Sequence, residues 1–517
     1  MSAKPSASHH ENALPAGATI TSSALDDAEK GIYDSTPGLP VLSSPASAHV
    51  DEKKELALIS PTSDATAASP RPAQPAAKKP TKRKVSKWVL FRLWFNTYRK
   101  FFTFVTLLNL TGIILAALGH FPYAENHLGA LVLGNLLCAV LFRNELFMRF
   151  LYTIAIYGLR SWAPLWLKLA VTSILQHVGG IHSGCALSGA RQVNELLWLV
   201  YKVVDIIIYR STQHPAIIAT GIITNVAVII SVLSAFPWVR NNYHNTFERH
   251  HRFIGWLGLA STWVFVILGN SYDFKSGEWR PETYSLLNAQ ELWFAVFMTI
   301  FILIPWLTLR EVPVEVEIPS PKVAILKFQR GMQQGLLGRI SRTSLMEYHA
   351  FGIVSEGRHS GCHYLICGVQ GDFTRELVAN PPKTVWTREL KFAGVGHASA
   401  MFKRGIRICT GTGIGAALST CIQSPNWFLI WIGSDQEKTF GPTISALIYN
   451  NIPPERMILW DSKKRGGRPD TVKLLKEVWY SFGAEVIFIT SNRQGNDEMM
   501  QGCLEAGLHS FGTLWDF

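Results

Sequence analysis

The chain reads as a multi-pass α-helical membrane bundle of about six helices, followed by a small antiparallel β-barrel and an α/β domain. Two observations predict this. Only 17% of the 517 residues are charged, 48% are hydrophobic, and 17 Trp and 28 Phe are present, a composition suited to a bilayer as solvent. Beyond Arg310 the long apolar runs give way to short β-rich runs separated by Gly, Pro and Asn, and from Gly405 strand-like runs alternate with helical ones.

Residues 1–85 are rich in Ala, Ser, Pro and Thr without apolar periodicity, so they are expected to form a disordered tail. Met1 to Asp26 lacks an apolar core, which predicts no cleavable signal. The net charge is +12. Its densest run, Lys78, Lys79, Lys82, Arg83, Lys84 and Lys87, directly precedes the first apolar stretch. That position fits positive-inside anchoring and argues against nucleic acid as a partner. Seven cysteines without a Cys-x-x-Cys pair predict neither a disulfide framework nor a zinc site.

The helical domain is placed at residues 99–310. Its apolar stretches are Phe101 to Gly119, Ala124 to Phe142, one somewhere within Pro164 to Ile208, Pro215 to Trp238, His251 to Asn270 and Ala289 to Leu309. Most approach the roughly 20 residues that a 30 Å hydrocarbon layer requires. The basic tail, an Arg143 to Arg149 turn, the Arg240 to Arg252 segment and Arg310 alternate with poorer loops. Six crossings would make this an integral, multi-pass protein of the lipid bilayer with both termini cytosolic.

The barrel-like domain is placed at 311–403, with strands near Val312 to Ile318, Val323 to Phe328 and Tyr364 to Val369, and the α/β domain at 404–517. In the latter, Thr410-Gly411-Thr412-Gly413-Ile414-Gly415 follows the apolar strand Ile406 to Cys409 and precedes a helix. Gly411, Gly413 and Gly415 would let backbone N–H groups approach a nicotinamide nucleotide's pyrophosphate at a helix N-terminus. The plain alternative is a tight strand-to-helix turn.

Upstream stand Glu347-Tyr348-His349-Ala350-Phe351-Gly352-Ile353 and then Gln370-Gly371-Asp372-Phe373-Thr374-Arg375. In this order, behind a membrane bundle, these segments resemble the flavin- and nicotinamide-binding halves of the ferredoxin-reductase superfamily, as in ferric reductases and NADPH oxidases. The resemblance implies that His349, Phe351 and Ile353 line FAD and that Gly371, Asp372 and Thr374 help to hold its phosphates, with NAD(P)H at the glycine loop. Two departures stand out. Ala350 replaces a proline, and Gly352 removes a hydroxyl expected beside the flavin's reactive nitrogen. Near the C-terminus the family's Cys-Gly-Pro segment is missing, while Met499 or Met500 keeps a helix-packing position. The terminal Phe517 either stacks on the flavin or merely packs.

Ferric reductases hold two haems through histidine pairs about 13 residues apart on two helices, a spacing of roughly 20 Å. Here His177 and His251 match the cytosolic-side positions, whereas counting onward reaches Ala190 or Arg191 and Val264 or Phe265, none of them an axial ligand. A single haem b between His177 and His251 is the most that the resemblance allows. The alternative is that these histidines sit at the membrane interface. Between them, Gly179-Gly180-Ile181-His182-Ser183-Gly184-Cys185 is rich in small residues, read either as close helix packing or as a pocket facing His182 and Cys185.

From about Arg99 to Phe517 the chain looks most like the fungal TmpA-type integral membrane flavoproteins, through its His-Val-Gly-Gly-Ile-His-Ser-Gly-Cys segment and its Gly-Thr-Leu-Trp-Asp-Phe end. Relatives of these proteins occur fused behind adenylate-forming enzymes. The resemblance implies a ferric-reductase-like flavin-dependent oxidoreductase connected with signalling in asexual sporulation. Two functions are left open: electron transfer from NAD(P)H through FAD to an acceptor, and a redox-weakened membrane sensor or scaffold.

Overall fold

Asn96 opens the first long helix by accepting the Arg99 amide N–H at 3.2 Å, a capping role suited to its short polar side chain. In the computed structural model, which describes residues 85–186, 208, 211, 213–273, 275–280 and 283–514, that helix is α2 (Thr97–Ala117), preceded by the short α1 (Lys87–Trp94). The tail up to residue 84 and the terminal Phe517 lie outside the described residues.

The bundle continues with α3 (Leu128–Arg143), α4 (Glu145–Leu159), α5 (Leu165–His177), α6 (Gly179–Ala186), α7 (Pro215–Ser234), α8 (His244–Ser271) and α9 (Gln290–Leu307). Among the described residues, α2, α7, α8 and α9 are long and apolar enough to cross a membrane. Counting the bent pair α3 and α4 as one span gives five. The expected six is thus not reached. One reason is that Arg143 to Arg149, expected as a turn, is instead a 69° bend followed by helix. Asn144 makes the bend: its Oδ1 accepts the amide N–H groups of Leu146 and Phe147 at 3.0 and 2.9 Å, and its Nδ2 donates to the Phe301 carbonyl at 2.7 Å. The other reason is that the stretch within Pro164 to Ile208 is broken between α5 and α6, and residues 187–207 lie outside the described residues.

Helix α6 packs against both α2 and α3, and its small residues explain how. A Cβ on Gly184 would lie 2.8 Å from the Val105 Cβ, and one on Gly180 would overlap the Tyr98 backbone. The packing reading of the small-residue segment is the one that the contacts support. At 28 residues, α8 spans about 42 Å. It outruns a hydrocarbon layer, and its N-terminal turns reach the first sheet, where Arg252 donates to the Met346 carbonyl at 2.8 Å and Arg249 pairs with Glu347 at 3.2 Å.

Two sheets follow. The antiparallel one comprises β1 (Leu309–Pro313), β2 (Glu315–Ser320), β3 (Val323–Gln329), β4 (Leu336–Ser341), β5 (His349–Val354), β6 (Cys362–Gly368) and β7 (Thr384–Arg388), in the order β1-β7-β4-β5-β6-β3-β2, with Phe392–Ala393 also paired to β4. Helix α10 (Asp372–Ala379) follows β6. A 3₁₀ segment, Val395–Met401, leads into the parallel sheet of β8 (Gly405–Thr410), β9 (Trp427–Gly433), β10 (Met457–Asp461), β11 (Val486–Thr490) and β12 (Ser510–Phe511). Its order is β10-β9-β8-β11-β12. Strand β8 is central, and the order in which strands are added reverses beside it, which places ligands at the carboxyl end of that strand in such sheets. The connecting helices are α11 (Ile414–Gln423), α12 (Gln436–Asn451), α13 (Thr471–Phe482) and α14 (Arg493–Glu505). One continuous core joins both sheets to α4 and α5, because Tyr152, Ala155, Ile156 and Leu175 are buried together with Ile325, Leu365 and Leu418.

Candidate functional site

Strand β5 presents the His349 ring against Phe373, with centroids 4.1 Å apart and planes at 21°, and Phe351 lies 6.5 Å from the same ring. Phe373 comes from the first turn of α10, so β5 and α10 together build an aromatic wall. The Nε2 of His349 is buried without a hydrogen-bond partner. Burial holds this imidazole below its ordinary pKa, against the pull of Glu248 and Glu347. A buried polar atom without a partner calls for an explanation, and a partner supplied by a ligand at the aromatic wall is one.

The other expected flavin residues divide. Gly371 borders open space at the N-terminus of α10, where backbone N–H groups favour an anion. Asp372 is exposed and pairs with Arg375. Thr374, by contrast, is occupied: its Oγ1 accepts from the Gln370 and Gly371 amides at 3.0 and 3.2 Å and donates to the Gly371 carbonyl at 3.1 Å. Ile353 sits in the sheet core. It backs the wall rather than lining it.

The three loop glycines also divide. Gly411 has φ +50° with open space around its Cα, and the Trp431 indole donates to its carbonyl at 2.9 Å. A Cβ on Gly413 would lie 2.6 Å from the Thr490 carbonyl oxygen, and one on Gly415 would lie 3.2 Å from the Ile366 Cβ. Only Gly411 faces free space. Gly413 seats α11 on β11, and Gly415 lets α11 touch β6. The loop is further tied by Thr410 Oγ1 to Ser491 Oγ at 2.9 Å.

Between wall and loop lies Gly352. A Cβ there would stand 2.5 Å from the Ala416 Cα and 2.6 Å from the Gly415 carbonyl oxygen. The missing hydroxyl is therefore a packing requirement: α11 fills the space where a side chain would project. Strand β5 and the glycine-loop helix are in direct contact.

In the bundle, His177 Nδ1 binds the Ser173 carbonyl at 2.7 Å, and its neighbour Gln176 donates to the Gly512 carbonyl at 2.6 Å. His177 thus closes α5 beside the parallel sheet. His251 Nδ1 binds Ser231, at 3.0 Å to Oγ and 3.2 Å to the carbonyl. His182 Nδ1 binds the Ala139 carbonyl at 2.8 Å. Because a carbonyl only accepts, Nδ1 carries the proton in His177 and His182, and Nε2 keeps its lone pair. The groups within electrostatic reach of His182 include His251, Arg143 and Arg240. Arg143, the last residue of α3, is more than a third accessible. Among the described residues, no cluster of three or more His, Cys, Asp or Glu is arranged to hold a metal ion.

Sequence reasoning missed the junction between bundle and sheets. Glu145, the first residue of α4, binds Arg339 from β4 and Arg388 from β7, the latter at 2.8 Å. The Arg388 guanidinium also lies 5.6 Å from the Trp306 and Tyr348 ring centres. These residues are far apart in sequence. The only signal was a carboxylate inside an otherwise basic, apolar stretch.

Residues 395–517 match the family model of the adenylate-forming reductase 03009 C-terminal domain. Adenylate-forming reductase 06235 of Coprinopsis cinerea is 30% identical over 430 residues, covering 82% of this chain and 40% of that protein. Adenylate-forming reductase 03009 of the same organism is 29% identical over 428 residues, with the same coverage. Among solved structures, the flavohemoglobin of Malassezia yamatoensis with bound FAD and heme covers 75% of this chain and 98% of its own at 11% identity and a TM-score of 0.35. Full-length CYP116B46 of Tepidiphilus thermophilus covers 76% and 72% at 9% identity and a TM-score of 0.35. The chain is similar to the reductases over most of its own length and spans about 40% of theirs.

Proposed function

We propose that this chain is a membrane-bound flavin-dependent oxidoreductase that takes electrons from NAD(P)H through FAD toward the helical bundle, with both termini cytosolic. The observation that carries the reading is the orphaned His349 Nε2 on an aromatic wall, beside a helix N-terminus with open space and behind a strand-to-helix glycine loop. His349, Phe351, Phe373 and the α10 N-terminus would hold FAD, and Gly411 would admit the nucleotide's pyrophosphate. For a single haem b, His177 with His251 is the proposed pair, and His182, whose Nδ1 is held by a carbonyl in the same way as that of His177, is a second candidate partner for His251. Arg143 and Arg240 would offer charge to its carboxylates. Bound in these places, a flavin supplies hydride acceptance and stepwise electron release, and a haem supplies a one-electron relay.

The protein's own residues limit the rate. Gly352 offers no hydroxyl donor, and its close contact with Ala416 leaves no room for a side chain there. That contact favours a second reading, a redox-weakened sensor. The TmpA-type resemblance adds a role in asexual-sporulation signalling and a ferric-reductase-like lineage to the proposal. Absorption spectroscopy of the purified protein, before and after anaerobic NADPH or NADH, tests it. Bound flavin that bleaches with nucleotide is expected. Haem bands should vanish in His251→Ala, and comparison of His177→Ala with His182→Ala identifies the second ligand. Flavin that binds but is never reduced would favour the sensor, and a folded protein that takes up no flavin would overturn both.

A further inference from the structure

Helix α4 has two unlike faces. Its inner face is fixed to the sheets: Glu145 binds Arg339 and Arg388, Arg149 donates to the Lys391 carbonyl at 3.0 Å, and Tyr152 meets the His397 ring at 6.4 Å. Its outer face presents Phe150, Ile154 and Tyr157, which share one side of a helix by their spacing. Trp162 stands at the corner, and α5 continues the patch with Trp166 and Ile174. All six are between 43% and 69% exposed.

We propose that α4 and α5 form an in-plane hairpin whose outer face lies in the headgroup layer of the cytosol-facing leaflet, with lipid as its occupant. The proposal rests on the membrane reading above and goes beyond it, because it turns part of the expected spanning region into a surface platform. Three features select lipid. The patch is continuous with the bundle: α4 follows α3 directly, and α5 is tied to the start of α2 through Thr97 Oγ1 and Ser173 Oγ at 2.8 Å. Its composition is that of a membrane interface, with two Trp, one Tyr and the Arg160 guanidinium 5.1 Å over the Tyr157 ring. Finally, neither helix is available to cross. Their inner sides are held to the polar sheets from Glu145 at one end to Gln176 at the other, where Nε2 donates to the Gly512 carbonyl at 2.6 Å. A hairpin clamped this way from above meets lipid below. It would set the height of the flavin wall over the bundle.

The test is photo-crosslinking of the full chain in phosphatidylcholine nanodiscs, with p-benzoylphenylalanine replacing, one at a time, Phe150, Tyr157 and Trp166. Leu108 on α2 and Ile223 on α7 serve as spanning controls, and the exposed Tyr480 on α13 serves as the water control. Lipid adducts are expected at the three test positions in yields comparable with those at Leu108, and none at Tyr480. Adducts at Leu108 and Ile223 without adducts on α4 and α5 would overturn the platform and leave the membrane reading standing. A protein-to-protein crosslink at the test positions would replace lipid by a second copy of the chain. Absence of lipid adducts at every position would remove the membrane reading itself.

Discussion

The helical bundle and the two sheets bury their residues in opposite ways. Helices α2 and α7 turn Leu107, Leu108 and Leu233 outward, more than half exposed, while Ile406, Ile408, Leu429 and Ile430 of the parallel sheet are sealed completely. The sheets carry their own core. The bundle coheres through close approach at Gly180 and Gly184 and through polar clasps such as Thr97 with Ser173, and it leaves an apolar exterior that only lipid or another protein can satisfy. What joins the two is partly polar, centred on Glu145. A variant at that joint should therefore cost more than one in either region.

Glu145→Ala gives the sharpest test, because it strands Arg339 and Arg388 beside a buried position. Breaking a buried ion pair by removing one partner costs about 3–5 kcal/mol. Thermal unfolding of the nanodisc-embedded protein should show a large loss, whereas Glu315→Ala, which breaks the exposed pair with Lys327, should cost less than about 1 kcal/mol. Equal losses would mean that the joint is no more than a surface contact.

The next effect separates the regions by pH. His363 stacks on Phe328 with centroids 5.1 Å apart and donates Nδ1–H to the Arg330 carbonyl at 2.6 Å. Burial pushes its pKa down to about 4. Between its unfolded value of about 6.5 and 4, the unfolded chain binds a proton that the folded chain refuses. Its stabilising contribution is complete above pH 6.5 and is lost as the pH falls toward 4, by an amount on the order of 3 kcal/mol. Burial depresses His349 and His397 in the same direction. Unfolding of the sheets followed by tryptophan fluorescence should shift to lower temperature across this window. His363→Asn should flatten part of the slope, and an unchanged slope would reassign it.

Gly352→Thr restores the hydroxyl that the flavin families carry, and here it should harm. Overpacking against Ala416 and Gly415 costs about 1–3 kcal/mol and should slow nucleotide-dependent flavin reduction. Gly371→Ala, with open space around it, should change stability by less than about 0.5 kcal/mol. A Gly352→Thr protein that is stable and reduced faster would show that α11 is not seated there in solution.

The strands near Val323 to Phe328 and Tyr364 to Val369, the glycine loop and the His349 segment were legible because each is a local pattern of apolar runs, turn residues and glycine directly after a strand. The strand expected over Val312 to Ile318, by contrast, is two strands, β1 and β2, divided at Val314 because they pair with different partners, β7 and β3. The reasons for Gly352, Gly413 and Gly415 were not legible, because each answers to a backbone brought in from another element. Helix α4 was hidden because Asn144 both ends one helix and caps the next, so Arg143 to Arg149 looked like a turn. The break at Val178, which sets His177 at the end of one helix and His182 in the next, was not legible either, because a count of residues along an unbroken helix does not register it.

The smallest expected effect separates the two halves of the flavin segment. Thr374 looked like a phosphate ligand in the sequence, but its hydroxyl is spent on the Gln370 and Gly371 amides at the start of α10. Thr374→Ala should then behave as the loss of a helix cap, about 1 kcal/mol, and Thr374→Ser should recover most of it, with flavin retained in both. His349→Ala is the counterpart, since its Nε2 has no protein partner to lose. Stability should change little there while bound flavin falls sharply. Flavin-to-protein ratios of the three purified variants, read beside their melting temperatures, decide between the roles. Flavin lost in Thr374→Ala without any fall in melting temperature would return the phosphate contact to Thr374 and make the cap incidental.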